Sequence, residues 1–266
     1  MESMRLYLRV MKLSILQQVT YRTALLAGLA TNFFFGLLRA AVLLALFQVQ
    51  PVVNGMTQAE GLTFVAFSQA LIAFLFIFGT YDVMNTVYTG SIGADLARPM
   101  DLFFYWMARD FGASLVNLVV RGVVLVAVFS MFYPVVMPAT IGQWGLGLVS
   151  LLLGWGVNYA FRFLVNLTAF WTPDARGIGR AAYTVLMMFS GFLMPMRLYP
   201  DWFSRLGALT PFPSIFNTPM EIFMGLLKGP VVISALLAQV GWLAALWLLA
   251  RWVLRRGLSK LVIQGG

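Results

Sequence analysis

The chain has 266 residues, of which 61% are hydrophobic and only 10% are charged. A soluble domain carries roughly 25% charged residues, so this composition excludes a globule that faces water on all sides and indicates a membrane protein. The net charge of +9 is therefore attributed to Lys and Arg near lipid headgroups and not to a nucleic-acid partner.

The first predicted element is an amphipathic helix over residues 4–22. Arg5, Arg9 and Lys12 share one narrow face of its helical wheel, and apolar side chains cover most of the remainder. This pattern is typical of a helix that lies in the membrane interface with its basic face toward the headgroups. The alternative is a solvated tail that continues into the first membrane span.

Six apolar segments are long enough to cross a bilayer, which requires about 20 mostly apolar residues. They are residues 25–47, 62–80, 111–132, 145–170, 178–196 and 231–252. An even number of spans places both termini on one side. The tails and loops of that side hold twelve Lys and Arg residues and those of the other side three, which predicts cytoplasmic termini. The predicted fold is one all-α integral membrane domain.

A short cytoplasmic helix is predicted between the second and third spans, at residues 90–98. Ser91 is expected to cap this helix and Pro99 to end it. A stiff, exposed helix at this place can enter a groove on a soluble partner, and the alternative is an ordinary connecting loop. The candidate contacts are Gly90, Ser91, Ile92, Gly93, Ala94, Asp95, Leu96 and Arg98.

Between the fifth and sixth spans, residues 198–226 combine apolar side chains with prolines that forbid one continuous helix. Such a segment is expected to form short helices that dip into the outer side of the membrane and cap the end of a passage. The alternative is an interfacial anchor without a gating role. The candidate gate residues are Pro195, Tyr199, Trp202, Phe203, Pro219 and Glu221.

Two arginines lie inside predicted spans, Arg39 in the first and Arg121 in the third. Each could line the path of an anionic substrate, extend toward the outer headgroups, or pair with an acid such as Glu60. Four further charges are expected near the cytoplasmic ends of spans two to four, where ion pairs would fix helix register: Asp82, Arg109, Asp110 and Arg162.

Two motifs carry a resemblance that covers nearly the whole chain. Residues 89–101 read T-G-S-I-G-x-D-L-x-R-P-M-D, and residues 190–203 read S-G-F-L-M-P-x-x-L-Y-P-D-W-F. Residues 211–225 follow with P-F-x-x-x-x-x-x-P-x-x-x-x-x-G. In this order the motifs resemble the six-span permeases of type-two ABC exporters, in particular the branch grouped with bacterial daunorubicin and viologen exporters.

The resemblance implies a permease subunit of the bacterial cytoplasmic (inner) membrane that exports an apolar or amphipathic substrate. It implies a second permease, identical or homologous, and two ABC ATPase subunits that bind ATP and Mg²⁺, with no cofactor in this chain. Residues 90–97 would be the coupling helix of the family, and residues 198–226 its extracellular helices. The sequence contains no G-x-x-x-x-G-K-[ST] phosphate loop, so ATP would have to bind to another chain.

Two other functions are weaker alternatives. A proton-driven secondary transporter needs a carboxylate that titrates inside the membrane, and only Asp82 and Asp110 lie near a suitable place. A membrane-embedded enzyme needs a nucleophile or metal cluster, and the chain has neither Cys nor His. No catalytic residue and no metal site is therefore predicted.

Overall fold

The computed structural model describes residues 2–20, 22–172 and 174–260. Residue 21, the last but one of the predicted amphipathic helix, falls outside this part. The α-helices of the described residues are α1 (Glu2–Thr20), α2 (Arg22–Val49), α3 (Gln58–Leu75), α4 (Asp82–Tyr88), α5 (Ile92–Leu96), α6 (Leu102–Asn117), α7 (Val124–Ser130), α8 (Ile141–Leu167), α9 (Arg176–Phe189), α10 (Asp201–Ala208), α11 (Asn217–Phe223) and α12 (Pro230–Leu258).

Other elements are short. A π-helical turn, Leu118–Val123, joins α6 to α7, and the strands β1 (Val52–Val53) and β2 (Met56–Thr57) form a small antiparallel hairpin. The described part of the chain also has three 3₁₀ helices, at Thr168–Phe170, Met196–Leu198 and Phe212–Ser214. Helices dominate, and the prediction of an all-α integral membrane fold is confirmed.

Five helical stretches of the described chain are long and apolar enough to cross a membrane: Ala27–Val49, Gln58–Leu75, Leu102–Ser130, Ile141–Phe170 and Pro230–Leu258. They correspond to five of the six predicted spans. Their bounds differ most in the third, where the helix begins at Leu102 and not at residue 111. The reason is that the aromatic residues 103–106 extend the apolar helix toward its N-terminus.

The segment predicted as the fifth span, residues 178–196, differs from the structure. Helix α9 has 14 residues, or about 21 Å at 1.5 Å per residue, which is shorter than the roughly 30 Å of bilayer hydrocarbon. It ends at Phe189 because Gly191 adopts φ +79°, a left-handed conformation that suits glycine and stops the helix. The remainder of the predicted span is irregular backbone.

Helices α3 and α8 form the centre of the domain. They bury 72% and 61% of their most apolar stretches, whereas α2 and α12 bury only 22% and 17%. Helix α2 packs on α3 and α12 on α8, while the continuous helix of α6, the π turn and α7 packs along α3. The outward faces of α2 and α12 are therefore apolar and suited to lipid or to another membrane subunit.

Helix α1 packs along α6, from Asp101 at its start to Gly112. A Cβ on Gly112 would lie 2.5 Å from the carbonyl oxygen of Met11, so only glycine permits this close approach. Arg5, Arg9 and Lys12 are exposed on α1, as a basic interfacial face requires. The position of α1 in the membrane interface stays a prediction.

The elements divide between two ends of the domain. At the basic end, Arg251 of α12 lies 3.5 Å from Asp101 at the start of α6, close to α1 and α5. At the other end, which we call the cap end, Asn54 Nδ2 of the β-hairpin donates a 2.6 Å hydrogen bond to the carbonyl of Arg197. The separation of these two ends agrees with the predicted assignment of the loops to two sides of the membrane. Which side is cytoplasmic stays a prediction.

Candidate coupling helix, cap segment and intramembrane charges

The predicted coupling helix is present as α5, although it covers only residues 92–96. Gly90 has φ +72°, which lets the chain turn sharply between α4 and α5. Ile92 is fully buried and fixes α5 to the domain, whereas Ala94 and Leu96 are exposed. Asp95 and Arg98 lie 3.8 Å apart on one side of α5. Part of α5 is thus free to contact a partner.

The expected helix cap by Ser91 is wrong. Ser91 has helical backbone angles and makes no capping hydrogen bond, since its Oγ lies 2.8 Å from Thr89 Oγ1. Pro99 follows the end of α5 by three residues, which agrees with its expected role. Ser91 therefore does not stabilise the start of α5 as a cap.

Helix α4, which precedes α5, is tied to α8 and to the start of α9. The backbone N–H of Met84 donates a 3.0 Å hydrogen bond to Asn166 Oδ1 of α8, and Asn166 Nδ2 donates to the Thr80 carbonyl at 2.8 Å. Tyr88 Oη accepts a 2.5 Å hydrogen bond from the N–H of Ala175. Helix α4 is thus fixed to α8 and to the residue that precedes α9.

Next to Asn166 lies a buried ion pair between α6 and α8. Arg162 Nη1 and Nη2 donate to the two carboxylate oxygens of Asp110 at 2.7 and 2.8 Å, and the Arg162 side chain is 2% exposed. Nη1 also donates to Thr80 Oγ1 at 3.1 Å. The guanidinium lies 5.3 Å from the centre of the Phe76 ring. The prediction of ion pairing at this depth is confirmed for Asp110 and Arg162.

Arg109 and Asp82 behave differently. The guanidinium of Arg109 stacks on the Trp106 ring at 4.8 Å, and neither residue forms an ion pair with any other residue that the structure describes. Asp82, Asp110 and Arg162 all line a polar cavity of about 170 Å³ that α1 covers with Gln17. For Arg109 and Asp82, the prediction of an ion pair is wrong.

Arg39 contacts the irregular backbone that follows α9. Its Nη1 donates a 3.1 Å hydrogen bond to the Phe192 carbonyl, and its guanidinium lies 4.8 Å from the centre of the Phe192 ring. The side-chain amide of Gln69 lies 3.1 Å from the same Nη1 and accepts a hydrogen bond when its oxygen faces Arg39. Arg39 also lines a 210 Å³ cavity with Pro195.

The suggested partner of Arg39, Glu60, is engaged elsewhere. Its carboxylate accepts a 2.7 Å hydrogen bond from the Thr57 N–H, while Thr57 Oγ1 accepts one from the Glu60 N–H, a capping box that starts α3. The pairing alternative for Glu60 is therefore wrong. Arg121, in the π turn, packs against α2, where a Cβ on Gly28 would lie 2.7 Å from the Arg121 Cζ.

The cap segment, residues 198–226, consists of short helices as predicted. Glu221 is buried and pairs with Arg197 at 2.6 Å. Phe203 stacks on Tyr199, with ring centres 4.5 Å apart, whereas Trp202 is 68% exposed. Burial raises the pKa of the Tyr199 hydroxyl above its usual value. Tyr199, Trp202 and Phe203 are thus in ring contact, and Tyr199 and Glu221 line one cavity, whereas Pro195 and Pro219 line two others.

The cap segment reaches deep into the domain. A Cβ on Gly154, near the middle of α8, would lie 2.7 Å from the carbonyl oxygens of Ser214 and Ile215. Gln239 of α12 is fully buried, donates to the Ser214 carbonyl at 2.7 Å and accepts from Ser150 Oγ at 2.9 Å. Irregular backbone at membrane depth is tolerated because protein groups satisfy it. Sequence reasoning missed Gln239 and Ser150, although both are polar residues within apolar helices.

Comparison with known families decides the class of protein. The sequence profile of the ABC-2 family transporter proteins matches residues 31–265, which is most of the chain. The chain belongs to the ABC-2 transporter family. A comparison with curated proteins gave no significant match. Membership makes this ABC-2 permease a multi-pass membrane transport subunit and implies partnership with ABC ATPase subunits. It favours this function over a proton-driven secondary transporter.

Proposed function

We propose that this ABC-2 permease belongs to an ATP-driven exporter of the bacterial cytoplasmic membrane. One of two ABC ATPase subunits, which bind ATP and Mg²⁺, would dock at the basic end of each permease, and α5 would be the element that it moves. The observation that carries the proposal is the anchored pair of α4 and α5, in which one helix is held by the membrane domain and the other presents exposed residues.

The proposed path of force runs through residues already described. A push on α5 moves α4, whose Met84 is bonded to Asn166 on α8. One helical turn before Asn166, Arg162 is clamped to Asp110 on α6. Bonds to a charged group are stronger and geometrically more specific than neutral ones, so α6 and α8 are expected to follow α4 together. Their joint movement would change the packing of α3 between them.

The substrate path is proposed on the side of Arg39. The outward face of α2 is apolar and exposed at Phe35 and Leu38, which also line the Arg39 cavity. A second permease, identical or homologous, would cover this face, and an apolar or amphipathic substrate would leave between the two copies at the cap end. One guanidinium beside apolar walls suits a substrate with an anionic or polar group on an apolar body.

Purification of the tagged permease from its native membranes in mild detergent tests the proposal. We expect an ATPase with a phosphate-loop motif to co-purify and to hydrolyse ATP. Ala94→Glu, on the exposed face of α5, should lose this ATPase. The matched control, Val52→Glu in the β-hairpin, is also exposed and should retain it. Absence of any ATPase from the wild-type preparation, or its loss only in Val52→Glu, would contradict the proposal.

A further inference from the structure

A third cavity lies on the other side of α3 from Arg39, near the cap end. Its volume is about 450 Å³, within the range of small-molecule sites in proteins. Helices α3, α7, α8 and α11 and the π turn between α6 and α7 form its walls. The walls are almost entirely apolar. The walls offer a water molecule almost no hydrogen-bond partner, so the cavity favours an apolar occupant.

Two glycines set the spacing of the cavity walls. The π turn is an irregularity of a kind often found at functional sites, and it brings Gly122 against α3, where a Cβ would lie 3.3 Å from the Ala70 carbonyl oxygen. Across the cavity, a Cβ on Gly147 of α8 would lie 3.1 Å from the Phe223 ring of α11. Larger side chains at Gly122 and Gly147 would therefore crowd the cavity walls.

The mouth of the cavity opens toward the bilayer. Val123 is 61% exposed and Leu148 is 51% exposed, and both line the cavity from membrane-spanning helices. Trp144, at the rim, is 40% exposed, and tryptophan is a residue type enriched at the level of the headgroups. Residues 131–147, which surround the rim, contain no charged residue. The mouth of the cavity is thus accessible to lipid, and the residues around its rim carry no charge that would select a particular headgroup.

We infer that this cavity holds one acyl chain of a bilayer phospholipid from the leaflet at the cap end. An empty cavity would forfeit the dispersion contacts of its lining, and an acyl chain restores them without any polar group. The chain end would touch Met220 and Phe223 of α11, so a bilayer lipid becomes part of the support of the cap segment. This site is separate from the Arg39 cavity and requires no ATPase.

Photolabelling tests the inference in the complete complex, reconstituted in nanodiscs. The probe is a phosphatidylcholine with a diazirine near the end of one acyl chain, and labelled positions are mapped by mass spectrometry. We expect labelling of Met220, which is only 2% exposed and borders the cavity, as well as of the lipid-facing Leu249 of α12. A phosphatidylglycerol probe should label Met220 equally, because the mouth is uncharged.

Two substitutions on α7 make the test specific. Ala127→Phe places a ring in the cavity, and Val124→Phe, on the same helix and also exposed, does not face it. Labelling of Met220 should be lost in Ala127→Phe and retained in Val124→Phe, with Leu249 labelled equally in both. Unchanged labelling of Met220 in Ala127→Phe, or labelling of Leu249 without Met220 in the wild type, would overturn the inference. Cross-linking of Val123→Cys between two permease copies would also overturn it.

Discussion

Replacement of Asp110 by Leu is expected to destabilise the membrane domain strongly. The substitution removes the carboxylate that holds both terminal nitrogens of Arg162, a side chain that is 2% exposed. Only the bond to Thr80 Oγ1 then remains, because Arg162 Nε has no partner among the described residues. Loss of one member of a buried ion pair typically costs about 3–5 kcal/mol, since the other charge stays buried without compensation.

The cost can be measured as a shift in the thermal unfolding of the detergent-solubilised complex. Each kcal/mol lowers Tm by roughly 2–4 °C for a chain of this size, so we expect a fall of roughly 6–20 °C at a fixed scan rate. The control is the double variant Asp110→Leu with Arg162→Met, which removes both charges and should recover most of the loss. A single variant within about 2 °C of the wild type, or a double variant as unstable as the single one, would refute the reasoning.

Three further predictions concern coupling, the Arg39 contact and orientation. Insertion of two glycines on each side of α5 should leave expression and ATPase co-purification intact but abolish transport; normal export would show that force enters elsewhere. Arg39→Ala should lower the free energy of unfolding by roughly 1.5–3 kcal/mol, because it removes a charged hydrogen bond to the Phe192 carbonyl. Arg39→Lys should lower it less, as measured by thermal unfolding. Equal losses in the two variants would contradict this view of the contact. A membrane-impermeant maleimide added to intact cells should label Val52→Cys and not Ser259→Cys, and the reverse result would invert the topology.

The long apolar helices could be predicted from the sequence because length and composition suffice in a bilayer, where every span must satisfy its own backbone. The break after α9 could not, because Ser190 and Gly191 lie inside a continuous apolar run. The left-handed conformation of Gly191 ends α9, and a tertiary contact holds the backbone on either side of this glycine. Asn217 donates its N–H to the Ser190 carbonyl at 3.0 Å and accepts from the Met196 N–H at 3.0 Å.

Of the individual side-chain contacts, the sequence predicted some correctly and others not. The Asp110–Arg162 pair followed from the depth of each residue in its span, which topology alone provides. The suggested Glu60 partner for Arg39 failed, although the T-x-x-E pattern at Thr57 already indicated a capping box. The anchoring of α4 by Asn166 depends on the three-dimensional approach of α8, and no local pattern in the sequence reports that approach.

The claim that α5 is the contact for an ABC ATPase is tested most directly by cross-linking. The native chain has no cysteine, so Ala94→Cys on α5 and Val52→Cys at the cap end each introduce a single reactive site. With a short bifunctional maleimide in native membranes, we expect Ala94→Cys to cross-link to a phosphate-loop ATPase and Val52→Cys not to. An ATPase that cross-links at neither position, yet co-purifies with the permease, would contradict the proposed role of α5.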